Sequence, residues 1–146
     1  MGAGRWGGHL AEVLVNNNHR VIATDIVNRN YPGTEVVDFL AAKAKTFNGD
    51  IITNPPYKYA QEFIEKALDC IPTGNKVAML LKLTFLEGKR RKSFYEKNPP
   101  IRVYVLSERK NCYKNGDFSV KGSGAVAYAW FVWQKGYKGD PSIKWL

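Results

Sequence analysis

Leu10, Val13 and Leu14 fall on one helical face directly behind the glycines Gly2, Gly4, Gly7 and Gly8. That order predicts a loop opening into a helix near Gly8, which the asparagines at 16–18 bring to an end. Residues 20–27 (RVIATDIV) are rich in branched apolar side chains and read as a buried strand, followed by a polar turn over 28–33 that contains Pro32. Residues 36–40 suit a short strand. A third apolar run, 50–53 (DIIT), is cut off by Asn54, Pro55 and Pro56. Beyond it Ala60, Phe63, Ile64, Ala67, Leu68 and Ile71 trace one face of a helix.

Residues 72–75 (PTGN) make the next turn, and 76–83 (KVAMLLKL) are apolar toward both sides, as a strand inside a helix-covered parallel sheet would be. A basic helix is predicted over 86–97, stopping before Pro99 and Pro100. A strand over 102–107 and a long glycine-containing loop over 111–124 follow, the loop suiting either a substrate-facing lid or a plain surface connection. Residues 125–134 (AVAYAWFVWQ) close the core as the last long strand, with Trp130 and Trp133 as core or sheet-covering side chains. Alternating strands and helices predict a doubly wound α/β sheet with a ligand crevice at its strand ends.

Composition sharpens this in three ways. With 146 residues, 45% of them apolar, the chain has the size of one domain with a real core, so a single domain over 1–146 is expected. It has neither an apolar run of about 18 residues nor a basic-then-apolar leader, which predicts a soluble, cytoplasmic protein without a membrane partner. Cys70 and Cys112 lie far apart, and His9 and His19 form no cluster with metal-ligand spacing, so neither a disulfide framework nor a metal site is expected.

Charge points to a partner. The formal net charge is +9, and residues 82–121 hold eleven Lys and Arg against four acids, including Lys89, Arg90, Arg91 and Lys92 in a row. Such a basic half suits a polyanion, DNA or RNA, because each cation placed near a phosphate releases condensed counterion. A solvated face that only keeps the protein soluble is the other reading.

Two motifs carry chemistry. Gly2, Ala3, Gly4 and Gly7 form a GxGxxG pattern that opens a helix, with Asp25 at the end of the following strand and Ile26 beside it. Glycines let a cofactor approach the backbone, and a carboxylate at that strand end accepts hydrogen bonds from ribose hydroxyls. By itself the pattern also fits dinucleotide enzymes, or a simple turn. The second motif, Asn54, Pro55, Pro56 and Tyr57 after 50–53, resembles the Asn-Pro-Pro-Tyr signature of class I methyltransferases acting on amines. These are adenine-N6 enzymes and protein glutamine methyltransferases, and dinucleotide enzymes have no counterpart.

A conjugated exocyclic amine is a poor nucleophile because its lone pair lies in the π-system. If the Asn54 side-chain oxygen and the Pro55 carbonyl both accept hydrogen bonds from that NH2 group, the nitrogen moves toward tetrahedral geometry and its lone pair turns outward. The prolines stiffen the acceptors, and Tyr57 would stack on a flipped base. The alternative is a strand-ending turn in which Asn54 caps the next helix.

Over its length the chain resembles small phage and prophage adenine-N6 methyltransferases. The similarity includes 79–90 (MLLKLTFLEGKR) and 127–135 (AYAWFVWQK). The resemblance implies a Rossmann-like class I fold with a mostly parallel sheet and an antiparallel last strand, S-adenosylmethionine as cofactor, and a bacterial host cell. It places Asp38 at the cofactor's adenine amine with Phe39 beside the ring, although an Asp here is also an ordinary turn residue. Lys82 and Thr84 would flank the target pocket, Lys82 holding phosphate or merely snorkelling at a strand end. Lys58, Lys89, Arg90 and Arg91 would complete the substrate side.

The family pattern begins with a hydrophobic strand before the glycine loop, whereas this sequence opens with the loop. The sheet is therefore expected to lack its first strand, which would lie centrally, between 20–27 and 50–53. Such a loss leaves two ladders of unpaired backbone groups. A longer parent protein, another segment or subunit completing the sheet, or closure of the flanking strands would each resolve it. No separate target-recognition segment is visible, so single-stranded or already opened nucleic acid is the expected substrate. The competing readings are protein glutamine methylation and a catalytically dead nucleic-acid-binding protein on the same scaffold. A dinucleotide oxidoreductase ranks behind both, since no acid-base residue for hydride chemistry accompanies the glycines.

Overall fold

Apolar alternation and proline breaks produce an α/β arrangement in the computed structural model, which describes residues 9–28, 30–43, 46–108 and 126–146. The glycines Gly2, Gly4 and Gly7, together with Ala3 and the 111–124 loop, lie outside the described residues. The chain divides into two compact units, one of Met1–Lys43 with Tyr113–Val120 and one of Ala44–Cys112 with Lys121–Leu146.

In the first unit, helix α1 spans His9–Asn16 and ends where Asn18 takes a positive φ of 63°. Strands β1 (Thr24–Asp25) and β2 (Glu35–Val36) form a parallel pair. The buried strand expected over 20–27 is thus corrected to two residues. Ile22, Ile26 and Val27 are 61%, 62% and 51% exposed, since no second strand flanks β1 among the described residues. The strand expected over 36–40 also shrinks to β2, because the Asp38 carboxylate takes the Leu40 and Ala41 N–H groups and bends the chain into a turn.

The second unit holds a five-stranded sheet in the order β3-β4-β6-β5-β7. Its strands are β3 (Ile51–Thr53), β4 (Lys76–Lys82), β5 (Arg102–Val105), β6 (Tyr128–Gln134) and β7 (Ser142–Trp145). Pairing is parallel for β3 with β4 and β5 with β7, and antiparallel for β6 with both β4 and β5. Four strands therefore point one way and β6 alone runs against them. Helix α2 (Ala60–Cys70) makes the crossover from β3 and packs on β4, burying Ala60, Ile64, Ala67 and Cys70.

At its start β3 is fixed by a side chain: the Asp50 Oδ1 accepts the Lys76 N–H at 2.7 Å. One sheet face, built from Val77, Met79, Leu81, Val103, Ala129, Phe131 and Trp133, is fully buried. The opposite face, with Ala78, Leu80, Trp130 and Val132, is only half-buried, so β4 is not equally covered on both sides as its sequence suggests. Trp133 is a core residue whose indole N–H donates to the Asn98 carbonyl at 3.1 Å.

The basic helix expected over 86–97 is shorter. A 3-10 turn, Leu83–Leu86, leads to Gly88 at φ 113°, a second turn follows at Lys89–Arg91, and the true helix α3 is Lys92–Lys97. Positive φ at Gly88 breaks the helical path and re-aims the basic run. Phe85 anchors this segment to the sheet, edge-on to Phe94, Tyr95 and Phe131 at centroid distances of 6.3, 6.0 and 5.8 Å. Among the described residues no helix is long and apolar enough to cross a membrane.

Candidate functional site

Strand β3 delivers Asn54 at its carboxyl end. Asn54 is exposed, Pro55 is buried and Pro56 is exposed, so one ring packs inward and holds the turn while the amide is presented outward. Pro56, at φ −57° and ψ 122°, starts the 3-10 turn Tyr57–Tyr59 without any side-chain cap. Helix α2 has Tyr59 in its N-cap position and also lacks a side-chain cap hydrogen bond. Asn54 therefore does not serve as a helix cap, and its side chain has no hydrogen-bond partner among the described residues.

The neighbouring strands end in the same region. Lys82, the last residue of β4, lies opposite Tyr128, the first of β6. The Lys82 Nζ stands 5.2 Å above the Tyr57 ring centroid, and the Tyr128 ring packs 6.1 Å from that of Tyr57 at a 39° tilt. Lys82 is thus held by an aromatic face, which costs it less solvation than burial and leaves its charge beside the ring. Thr84 follows, exposed, on the turn Leu83–Leu86. Tyr128 is a member of this cluster that the sequence reading missed. Its only sequence signal is its place at the start of the last long strand.

A hollow of about 470 Å³ adjoins the motif, lined by Tyr57, Lys58, Glu62, Lys89, Arg90 and Arg91 among others. Tyr57, Lys58 and the basic run, expected separately from sequence to face substrate, are here brought together. Gln61 and Glu62 were not foreseen, although they stand four residues after Tyr57 and Lys58, the spacing of one helical face. The Arg91 guanidinium lies 4.5 Å from the Phe85 ring centroid and donates through Nη1 to the Glu87 carbonyl at 2.8 Å. Tyr95 donates its hydroxyl to the Phe85 carbonyl at 2.8 Å, and burial pushes its ionisation well above the ordinary tyrosine value, with Arg91 opposing.

In the first unit Asp25 stands half-buried at the end of β1, its Oδ1 accepting the Val27 N–H at 3.0 Å. Ile26 beside it is exposed. Asp38 is exposed, one carboxylate oxygen being used to close the turn after it, and Phe39 is half-buried. The hydrogen bonds of Asp38 are those of a turn residue. Comparison with known proteins adds nothing to this geometry, since no family model and no curated protein matches the chain.

Proposed function

We propose that the chain is a class I, S-adenosylmethionine-dependent methyltransferase of the Asn-Pro-Pro-Tyr type, transferring methyl to the exocyclic amine of adenine in nucleic acid. The observation that carries this reading is the exposed amide of Asn54, without a hydrogen-bond partner among the described residues, on a proline-stiffened strand end, with Tyr57 beside it and the basic hollow adjoining. The sheet supports it in part: four co-directional strands with β6 reversed among them agree with the mostly parallel sheet that the resemblance implies. The antiparallel strand is the one over 128–134, and a further parallel strand, β7, follows it where the resemblance implies an antiparallel last strand. Rossmann-like membership of this fold is part of the proposal.

In this mechanism the Asn54 Oδ1 and the Pro55 carbonyl accept the two N–H groups of the amine, drawing its nitrogen out of conjugation. Tyr57 stacks on the base, an interaction worth about 1–3 kcal/mol in single-strand binders. Lys82, already seated over Tyr57, offers its charge to the target nucleotide's phosphate. For the cofactor, the Asp25 carboxylate fits a ribose, because the Val27 N–H fixes its orientation at the end of a parallel strand. The cofactor would supply the methyl group and its own leaving group.

Positive charge around the hollow favours nucleic acid over the amide of a protein glutamine. Incubation with labelled S-adenosylmethionine and separate DNA, RNA and protein fractions tests this. Label in nucleic acid is the expected result, and label confined to protein would overturn it. No cofactor binding by calorimetry, together with salt-sensitive DNA binding, would instead mark a binding protein on the same scaffold.

A further inference from the structure

The four cations around the hollow are not equivalent, and the difference cannot be read from the sequence run. Arg91 is half-buried, and its guanidinium is committed to the Glu87 carbonyl and the Phe85 ring. Lys58 rests its Nζ 5.2 Å from the Tyr59 ring. Lys89 and Arg90 are exposed and have no ion-pair or hydrogen-bond partner among the described residues. They sit just beyond Gly88, whose φ of 113° sets the direction of the turn that carries them.

We propose that this hollow seats the nucleotide adjoining the methylated adenine, its phosphate gripped by Lys89 and Arg90, with Arg91 serving as a buttress of the wall and not as a ligand. The inference rests on the nucleic-acid methylation reading and assigns that reading a second subsite. A volume of about 470 Å³ lies within the range of roughly 300–1,000 Å³ usual for small-ligand sites. Its lining sets one carboxylate, Glu62, against four cations. A bare phosphate has no use for the carboxylate. A nucleotide has, because its base edge carries N–H donors that a carboxylate accepts. Tyr57 is shared by the hollow and the Asn54 cluster, so a strand threaded across it would present one base to each side.

The test is fluorescence anisotropy of a labelled DNA hexamer containing one adenine, and of its RNA counterpart, titrated at several salt concentrations without any methyl donor. The Lys89→Gln/Arg90→Gln protein is compared with Lys43→Gln/Lys144→Gln, which removes the same charge from exposed positions outside the hollow. Removing two charge-assisted hydrogen bonds should weaken binding at least about tenfold. The slope of log K against log salt should flatten by about 0.7 for each single-strand phosphate that is no longer neutralised. The control pair should shift affinity less than about threefold, the modest change expected of screened, distant charge.

Equal affinity and equal slope for the two pairs would overturn the assignment. So would a loss confined to urea stability, which would make Lys89 and Arg90 structural. Because binding is read without methyl donor, the two ideas fail separately. Methylated nucleic acid with binding indifferent to Lys89 and Arg90 sinks the subsite alone, whereas hexamer binding that needs them in a protein labelling only protein sinks the methylation reading.

Discussion

Replacing Arg91 by alanine should destabilise the Phe85 to Tyr95 segment while leaving the secondary structure of the sheet intact. Arg91 makes one good hydrogen bond, 2.8 Å to the Glu87 carbonyl, and a second at the 3.5 Å limit to Phe85. The first is solvent-accessible, so it is worth about 1.5 kcal/mol, the low end for a charged donor, and the second adds little at that length. The guanidinium at 4.5 Å from the Phe85 ring centroid adds about 0.5–1 kcal/mol. The total is about 2 kcal/mol, which with a urea m-value of about 2 kcal/mol/M moves the midpoint down by about 1 M. Arg91→Lys should recover only part of this, because an ammonium cannot lie flat on the ring while aiming a fork at the backbone. Equilibrium urea unfolding followed by tryptophan fluorescence reads the shift. A midpoint for Arg91→Ala within about 0.2 M of the parent, a fraction of the movement that m-value predicts, would refute the buttress.

On the proposed mechanism Asn54→Ala should abolish methyl incorporation while cofactor affinity by calorimetry stays nearly unchanged, since Asn54 would address the amine; undiminished turnover would remove the mechanism. Asp25→Ala should act in the opposite order, weakening cofactor binding first, and unaltered affinity would detach Asp25 from the ribose. The Tyr95 hydroxyl, raised in the folded state above its ordinary value of 10.0, favours folding fully below about pH 10 and loses that contribution as pH climbs through the folded value. The stability gap between the parent and Tyr95→Phe should therefore be constant at neutral pH and narrow above pH 10 in urea titrations; a gap insensitive to pH there would contradict the assignment.

How much of this was legible beforehand depends on what holds each element. β3 and the turn after it were readable because three consecutive residues, Asn54, Pro55 and Pro56, leave the backbone few options. β4 and β6 were readable because long apolar runs bury one face outright. β7 was missed. Its four residues are all exposed, so it carries no burial signal, and it exists through backbone pairing with β5. The break at Gly88 was also invisible, since the sequence does not record that this glycine adopts positive φ within a run of helix-compatible residues. The meeting of Lys82, Tyr128 and Tyr57 depends on the register between β4 and β6, which couples distant parts of the chain. The motif itself stood out locally, whereas the inequality among the basic side chains needed the fold.

The Asp50 carboxylate shows what a three-residue strand demands of its surroundings. With so few rungs, β3 has little to resist sliding against its neighbour, and one surface oxygen acts as the detent that keeps Asn54 where it is. Replacing Asp50 by alanine should therefore blunt the proposed methyl transfer far more than it softens the fold. Thermal melts would look ordinary while turnover fell, a defect of alignment that a search for weakened proteins would pass over.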